Sequence, residues 1–398
     1  MKLQNILIFG NGISGQGLAT YLEDKGINHK IWTDINPFEI DFNEFDGAYF
    51  SPGFRKTKHK RHFMEELVTR SLLPILSDFD ILYHFNLNSK FIGITGTSGK
   101  TTTSYLISHL LSAGGIDNYL CGNMGINIFK DHSLYVMELS VLQLMDIKAI
   151  TFDYGIITNL DIDHLDLLDT IESYKSNKYN ILNKSYMKKQ KFFLGDGVDQ
   201  LKVNLLELEE LPTLNNPCLN KLHNYKNVQI AYSIAKEFGL DKSVLKSLKN
   251  FKLPEARQQL FLTNNNINFI NDSKATNSTS VIAAINSYDN ILWLVGGRIK
   301  SNSLENNSLD FIKKLKNINK VICFGENGKF IHQFLEKINV NSTYVKSFHD
   351  VEHEIPKHLN GIKNVLLSPM GESFDEFKNF KERGQSFEKM INKMFKIK

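Results

Sequence analysis

The sequence predicts a multidomain α/β protein in which parallel strands alternate with helices. Three observations lead to this prediction: the length of the chain, a series of short apolar runs, and the glycine-rich or acidic segments that follow those runs. A chain of 398 residues is long enough to bury more than one core. Apolar runs without alternation are typical of parallel strands covered by helices on both faces. We therefore expect functional residues at the carboxyl ends of the strands.

The N-terminal part of the chain predicts a Rossmann-like domain over residues 1–88. Its predicted strands are 6–9, 30–33 and 48–50. A glycine-rich turn from Gly10 to Gly15 follows the first strand and leads into a helical pattern. The polar stretch 86–89 predicts the end of this domain.

Two further sets of strands predict a central ATPase domain of the phosphate-loop type over residues 89–254 and a C-terminal Rossmann-like domain over 255–398. The central strands are predicted at 91–95, 133–139 and 155–159. The C-terminal strands are predicted at 267–270, 291–295, 321–324 and 365–367. A helix is expected from about Phe374 to the C-terminus. The fold class is thus α/β with three domains.

Composition excludes several classes of protein. The formal charge is +4, and the 47 basic and 43 acidic residues are intermixed, so nothing indicates nucleic-acid binding. Cys121, Cys218 and Cys323 are too far apart for a zinc motif or a disulfide framework, which favours a reducing, cytoplasmic location. No apolar run approaches the length of a membrane span.

The turn Gly10-Asn11-Gly12-Ile13-Ser14-Gly15 has the spacing of a diphosphate-binding loop at a helix N-terminus. Asp34 lies at the end of the second predicted strand, which makes NAD one possible ligand. A UDP-sugar diphosphate and an ordinary glycine turn are the alternatives. Because nothing downstream resembles a dehydrogenase site, we favour the UDP-sugar.

A second glycine loop, Gly96-Thr97-Ser98-Gly99-Lys100-Thr101-Thr102, gives a stronger signal for ATP. Its amides face phosphate oxygens, Lys100 offsets β/γ-phosphate charge and the Thr101 hydroxyl binds Mg²⁺. Glu138 closes the strand 133–139, and Asp163-His164 follow the strand 155–159. All of these are expected at one sheet edge, where they would supply metal ligands. Taken singly, a strand-end glutamate and a histidine are more often ordinary polar residues.

Ordered motifs along nearly the whole chain resemble the Mur ligase family. They are the glycine loop at Gly96, Glu138-Leu139-Ser140 with Gln143, Asp163-His164, His223-Asn224-Tyr225 with Asn227, and Asn271-Asp272-Ser273-Lys274-Ala275-Thr276-Asn277. Further matches point to the branch that adds D-glutamate, namely the N-terminal glycine turn, Ser51-Pro52-Gly53, Gly122-Asn123, Gly296-Gly297 with Lys300, and the segment from Ser373 to Gly384.

The resemblance implies an ATP-dependent, amide-forming ligase in peptidoglycan precursor synthesis. Its substrates would be UDP-N-acetylmuramoyl-L-alanine and D-glutamate, joined through an acyl phosphate. It also implies two Mg²⁺ sites and carbamylation of Lys178, which converts an amine into a metal-binding carboxylate. Closure of the third domain would exclude water from the acyl phosphate. A monomer without nucleic-acid or membrane partners is expected.

The resemblance also assigns site residues. The implied catalytic residues are Lys100, Glu138, His164 and Lys178. The implied metal ligands are Thr101, Glu138, His164 and Lys178. ATP is expected at Gly96, Thr97, Ser98, Gly99, Lys100, Thr101, Thr102, Asn224, Asn227, Arg257 and Asp272. The UDP substrate is expected at Ile13, Ser14, Gly15, Asp34, Ser51, Pro52, Gly53, Asn123, Ser140 and Gln143. D-Glutamate is expected at Lys274, Thr276, Lys300, Ser373, Phe374 and Phe380.

Three alternative functions remain. The chain could be another amino-acid ligase of this family, although the asparagine-proline-arginine signature of the diaminopimelate enzyme is absent. It could be a folylpolyglutamate synthetase, but those enzymes lack the N-terminal glycine domain. A phosphate-loop protein without ligase activity is the third, disfavoured because every expected metal ligand is present.

Overall fold

Three largely parallel sheets form the framework of the protein in the computed structural model. The structure describes residues 3–33, 40–51, 54, 62–63, 66–67, 70, 73–124, 128–160, 170–182, 190–199, 201–216, 218–220, 222–298 and 315–397. No helix within these ranges is both long and apolar enough to span a membrane.

The first sheet has four parallel strands in the order β2-β1-β3-β4. Its elements are β1 (Asn5–Phe9), α1 (Ile13–Asp24), β2 (Asn28–Trp32), β3 (Gly47–Phe50), β4 (Ile75–Leu76) and α2 (Asp78–Phe85). Strands β1 and β3 are the most buried, and their phenylalanine rings Phe9 and Phe50 stack with centroids 4.5 Å apart. The carboxyl ends of these two central strands carry the glycine turn and Ser51.

The second sheet has five parallel strands in the order β6-β7-β5-β8-β9. Its elements are β5 (Lys90–Thr95), α3 (Lys100–Ala113), β6 (Tyr119–Gly122), β7 (Leu134–Glu138), α4 (Val141–Asp146), β8 (Tyr154–Asn159), α5 (Ile171–Lys178) and β9 (Lys191–Asp196). Strand β5 lies in the middle, between β7 and β8. The glycine loop therefore leaves the centre of the sheet, with the end of β7 on one side and the end of β8 on the other.

The third sheet has six strands in the order β10-β11-β15-β12-β13-β14, and only β10 is antiparallel to its neighbour. The helix α6 (Leu222–Glu237) precedes it. Its elements are β10 (Gln259–Asn264), β11 (Ile267–Asn271), α7 (Ser278–Ile285), β12 (Ile291–Gly296), β13 (Ile318–Phe324), α8 (Gly328–Lys337), β14 (Ser342–Tyr344), α9 (Val351–Glu354), β15 (Asn364–Met370) and α10 (Phe380–Met394). Two buried apolar clusters pack on its two faces, one around Trp293 and one around Phe387.

The chain divides into two compact units. Unit 1 comprises 1–160, 170–210 and 229–244, and it contains the first two sheets. Unit 2 comprises 161–169, 211–228 and 245–398, and it contains the third sheet. The predicted α/β class with parallel sheets is confirmed.

The ten strands predicted from apolar runs all overlap observed strands. The last helix begins at Phe380 and not near Phe374, because Asn379 accepts a hydrogen bond from the Glu382 amide and caps the helix there. Residues 373–377 instead form a turn, in which the Phe377 amide donates to the Ser373 carbonyl.

Candidate active site

The glycine loop between β5 and α3 has a backbone that requires glycine at two positions. Gly96 has a φ of 142°, and an added Cβ would lie 1.9 Å from Thr158 Oγ1. Gly99, with a φ of 83°, immediately precedes α3. The Asn159 side chain fixes the loop, since its Oδ1 accepts from the Ser98 amide at 2.9 Å and its Nδ2 donates to the Ser98 carbonyl at 3.0 Å. The end of β8 therefore shapes the loop.

Glu138 and Thr101 meet beside this loop. The Thr101 hydroxyl donates to Glu138 Oε2 at 2.5 Å, and Asn123 Nδ2 lies 3.4 Å from Oε1. The Glu138 residue is 2% exposed, and among the described residues no lysine, arginine or histidine forms an ion pair with it. A buried carboxylate without a cation is unfavourable. A hard divalent cation, which prefers oxygen ligands, fits this pair.

Two lysines converge on the Gly96 carbonyl oxygen. Lys100 Nζ and Lys178 Nζ each lie 2.8 Å from it, and Lys100 Nζ also donates to the Thr97 carbonyl at 2.9 Å. Lys178 is only 2% exposed, although it stands on α5 with the polar sequence Ile171–Lys178. Lys178 is therefore a buried residue and not a solvated surface lysine.

Tyr174 is a site residue that the sequence analysis missed. Its hydroxyl lies 3.0 Å from Thr97 Oγ1, and its ring centroid lies 4.8 Å from Lys178 Nζ. The available signal was its position one helical turn before Lys178, which places both side chains on one face of α5. Of the other predicted residues near this loop, His164 lies outside the described residues, and Thr102 is buried on α3.

The N-terminal glycine turn is tightly built around Gly10 and Gly15. Gly10 has a φ of 98°, and an added Cβ there would lie 2.2 Å from Ser51 Oγ. A Cβ at Gly15 would lie 2.0 Å from the Gly10 carbonyl oxygen. The helix α1 starts at Ile13 without a side-chain cap, so its first amides, including that of Ser14, are available to an anion. The predicted residues Asp34, Pro52 and Gly53 lie outside the described residues.

Two other residues assigned to the UDP substrate act as a helix cap. Gln143 Oε1 accepts from the Ser140 amide at 2.9 Å, and Ser140 Oγ accepts from the Gln143 amide at 3.3 Å. This capping box starts α4 directly after the end of β7. The hydroxyl hydrogen of Ser140 and the side-chain NH₂ group of Gln143 can still donate hydrogen bonds to a ligand.

The predicted ATP residues after the glycine loop lie in a different part of the chain. Asn224, Arg257 and Asp272 belong to unit 2, as does the buried Asn227. Asp272 is fully buried, and this burial raises its pKa to about 7, although hydrogen bonds from Ser368 and the Gln258 amide and the charge of Arg257 act in the opposite direction. Asn224 Nδ2 donates to the Cys218 carbonyl at 2.9 Å.

The segment after β11 contacts the start of α10. Lys274 Nζ lies 4.1 Å from the centroid of the Phe380 ring. Thr276 follows on the same loop and is partly exposed. Ser373 is buried, whereas Phe374 is 58% exposed. Lys300 lies outside the described residues.

Arg383 is a second residue that the sequence analysis did not assign to the site. It is fully buried and donates from Nε to Ser273 Oγ at 2.9 Å and from one terminal nitrogen to the Ser273 carbonyl at 2.8 Å. Burial lowers the pKa of Arg383 to about 10, against the attraction of the Asp375 and Glu372 carboxylates. It fixes the loop that precedes Lys274. An arginine next to a glycine on a polar helix was the only sequence signal.

The fold and the glycine loop define a phosphate-binding α/β protein with a candidate metal site. Comparison with known proteins identifies its family. Residues 94–208 match the Mur ligase middle domain. The chain is 32% identical to UDP-N-acetylmuramoylalanine--D-glutamate ligase of Rickettsia prowazekii (strain Madrid E), over 98% of both chains. It is 30% identical to the ligase of the same name from Rickettsia felis, over 97% of this chain and 96% of that one.

Solved structures agree with this match at the level of the fold. The UDP-N-acetylmuramate-alanine ligase MurC of Thermotoga maritima superposes with a TM-score of 0.61 at 17% identity, over all of both chains. MurF of Acinetobacter baumannii gives 0.60 at 14% identity, over 96% of this chain and 98% of that one. The chain belongs to the Mur ligase family, and the resemblance predicted from its motifs is confirmed.

Proposed function

We propose that this protein is an ATP-dependent ligase that joins D-glutamate to UDP-N-acetylmuramoyl-L-alanine in the synthesis of peptidoglycan precursors. The observation that carries the proposal is the convergence of Lys100, Lys178 and the Thr101–Glu138 pair around one glycine loop. The full-length relatives that carry this name support the choice of substrates.

In this reaction the anionic carboxylate of the UDP substrate must attack the anionic γ-phosphate of ATP. A carboxylate oxygen of the UDP substrate forms a bond to the γ-phosphorus of ATP, and the bond from that phosphorus to the β–γ bridging oxygen breaks, which releases ADP. The amine of D-glutamate then attacks the acyl carbon, loses a proton and displaces inorganic phosphate. Lys100 offsets charge at the transferring phosphoryl group, and the loop amides position it.

Thr101 and Glu138 would hold Mg²⁺ when ATP is bound. The hydroxyl and the buried carboxylate are hard oxygen ligands, and phosphate oxygens and water complete the six positions that Mg²⁺ requires. The metal would neutralise charge that develops on the phosphate oxygens. Within the described ranges no three His, Cys, Asp or Glu side chains come together, so these residues by themselves do not form a full set of metal ligands.

Lys178 would serve as a carbamate. Its amine is buried beside the Lys100 ammonium, so two positive charges compete for the Gly96 carbonyl. A neutral amine adds to the carbon of CO₂, and loss of one proton leaves a carbamate with a negative charge. The carbamate oxygens would then bind the second Mg²⁺, together with His164.

Finer assignments complete the proposal. The amides of Ile13, Ser14 and Gly15 would bind the substrate diphosphate, and the loop at Lys274 would bind D-glutamate. Three domains with boundaries near residues 88 and 254, a monomeric state and a cytoplasmic location fit these roles.

A coupled assay tests the proposed function. Phosphate release from ATP is measured with UDP-N-acetylmuramoyl-L-alanine, with D-glutamate, with both and with neither. Release that requires both substrates, together with formation of the amide product, is expected. A Lys100→Ala variant is expected to lose at least about a hundredfold in kcat. ATP hydrolysis that ignores both substrates would overturn the proposal in favour of a phosphate-loop protein without ligase activity.

A further inference from the structure

A chain of buried hydrogen bonds runs through the polar stretch that the sequence suggested as the end of the first domain. Asn86 Nδ2 donates to the Tyr21 hydroxyl at 2.9 Å, and Asn86 Oδ1 accepts from the Tyr135 hydroxyl at 3.0 Å. The Tyr21 hydroxyl donates in turn to Asp131 Oδ1 at 2.7 Å. Tyr21, Asn86 and Tyr135 are 4%, 8% and 0% exposed. Asn86 is therefore a buried bridge between two tyrosines and not part of a solvated linker.

Both tyrosine rings are fixed by packing. Tyr135 stacks on Phe91 with centroids 5.0 Å apart and an interplanar angle of 5°, and Tyr21 packs on Phe129 at 5.6 Å. Buried polar groups are stable only when they find partners, and a fully bonded network of this kind restricts the elements that carry it. The hydroxyl groups therefore hold defined positions relative to Asn86.

The two tyrosines stand on elements that end at the candidate site. Tyr21 lies on α1, whose first residue is Ile13 in the glycine turn. Tyr135 lies on β7, whose last residue is Glu138. The distance along the helix from Tyr21 to Ile13 is about 12 Å, and the distance along the strand from Tyr135 to Glu138 is about 10 Å. Each of these distances runs along one regular element. A fixed Tyr21–Asn86–Tyr135 contact therefore fixes Ile13 relative to Glu138.

We propose that Tyr21, Asn86 and Tyr135 are positioning residues that set the spacing between the diphosphate-binding turn and Glu138. This inference rests on the proposed function, because a UDP-linked substrate must reach from that turn to the γ-phosphate of ATP. An error in spacing misplaces the attacking carboxylate and lowers the rate, while each nucleotide still binds its own loop. The network therefore affects kcat more than affinity.

Kinetics of hydroxyl deletions test the role of the network. Tyr21→Phe and Tyr135→Phe keep the rings and each remove one hydrogen-bonding group. Each removes at least two hydrogen bonds, since the Tyr21 hydroxyl also bonds Asp131 and the Tyr135 hydroxyl also bonds the Lys130 carbonyl. Each is therefore expected to lower kcat by at least about threefold. The dissociation constants of the UDP substrate and of an ATP analogue, each measured alone, should change less than about twofold. The double variant should lose less than the product of the single losses, because both act through Asn86.

The matched control is Tyr83→Phe. Tyr83 lies on α2, and its hydroxyl contacts Thr151 Oγ1 at 3.3 Å without joining α1 to β7. Its kcat should stay within about twofold of wild type. Asp131→Ala should not disturb folding, since the Asp131 side chain is 53% exposed. Because Asp131 accepts a hydrogen bond from Tyr21, this variant should also lower kcat. Unchanged kcat in the network variants, or equal losses in the control, would overturn the inference.

A distance measurement separates this inference from the proposed function. Spin labels at Gln16→Cys on α1 and Leu142→Cys on α4, with Cys218 replaced by serine, report the spacing directly. A narrow distance distribution is expected in the otherwise wild-type protein and in Tyr83→Phe, and a broader one in Tyr21→Phe and Tyr135→Phe. Distance distributions of equal width in all four proteins would contradict the positioning role. A wild type that makes no amide product would instead count against the proposed function, whatever the distances show.

Discussion

Burial separates two lysines that look equivalent in the sequence. Lys175 and Lys178 stand one turn apart on α5, yet only Lys178 is almost fully buried and reaches the Gly96 carbonyl. Removing an ammonium group from water costs free energy, which makes a buried lysine unfavourable as a purely structural device. Its place beside the glycine loop therefore favours a chemical role.

Lys178→Ala is expected to be nearly inactive, because it removes the carbamate that would bind the second metal ion. Formate or acetate should restore part of the activity by occupying the vacated ligand position. Lys175→Ala, the matched control, should retain activity close to that of the wild type. The measurement is kcat with and without added carboxylate. Full activity in Lys178→Ala, or the same loss in both variants, would remove the second metal from the mechanism.

Asp272 makes the stability of unit 2 depend on pH. Burial raises its pKa to about 7 from a usual value near 3.8. Between these two values the folded state binds more protons than the unfolded state, so this contribution to the free energy of unfolding decreases as pH rises from about 4 to about 7. The amide of an Asp272→Asn variant does not titrate, so that variant lacks this decrease.

The variant should therefore gain stability relative to the wild type as pH rises, by at most about 1.4 kcal/mol per pH unit. Trp293 is a suitable reporter, because its Nε1 donates to the Ser368 carbonyl and the Ser368 hydroxyl donates to Asp272. Urea midpoints followed by Trp293 fluorescence, in a Trp32→Phe background, measure the difference. Parallel pH profiles for the two proteins would show that Asp272 does not titrate in this window.

At the scale of elements, apolar runs predicted all the interior strands but only one of the six edge strands, β2. All ten predicted strands exist, whereas β4, β6, β9, β10 and β14 were missed. These strands lie at the edges of their sheets, where one side is unpaired. Some are very short, such as β4 with two residues, and β10 is partly exposed along its length. The composition of an edge strand resembles that of a loop, and only pairing with a neighbour distinguishes the two.

The predicted start of α10, near Phe374, was also wrong, because local turns are not visible in the apolar pattern. The sequence analysis expected a helix from about Phe374, but the turn at Ser373 and the cap at Asn379 delay its start to Phe380. The contacts of α10 from Phe380 to Lys274 and from Arg383 to Ser273 were not predictable, because they join segments more than a hundred residues apart. Motif matching nevertheless identified the loop that receives them.

Arg383→Lys is expected to raise the apparent KM for D-glutamate about tenfold, while the KM for ATP changes less than about threefold. Lysine keeps the charge but lacks the planar fork that holds both Ser273 atoms. The loop that carries Lys274 then loses its support from α10. Lys381→Ala is the control on the same turn, since that side chain is 56% exposed. Equal changes in both KM values would show that Arg383 supports folding alone.

At the scale of the molecule, the predicted glycine motifs fall in one compact unit and the predicted amino-acid residues in the other. The contacts group the first two sheets, which belong to the first two predicted domains, in unit 1. The hydrogen bonds responsible include those of Asp80, whose carboxylate accepts from the amides of Lys148, Ala149 and Ile150. An aspartate on a helix gives no sequence signal of such distant partners.

This division predicts that a ligand stabilises only the unit that binds it. UDP-N-acetylmuramoyl-L-alanine at a hundred times its Kd should stabilise unit 1 by about 2.7 kcal/mol. Trp32 lies in unit 1 and Trp293 in unit 2. Unfolding followed by Trp32 fluorescence, in a Trp293→Phe background, should therefore shift to higher urea. The transition followed by Trp293, in a Trp32→Phe background, should move little. A larger shift in the transition followed by Trp293 would show that the substrate binds unit 2 and not unit 1.

The Lys100 contacts also determine which anions the glycine loop rejects. Its ammonium already donates to two carbonyl groups of its own loop. An incoming anion must replace at least one of these bonds, each with a net value of about 0.5–1.5 kcal/mol. Chloride or acetate offers a single charge and recovers little beyond that loss, whereas a polyphosphate contacts the ammonium and several amides together. We therefore expect the loop to bind single small anions weakly, so that they would compete poorly with ATP.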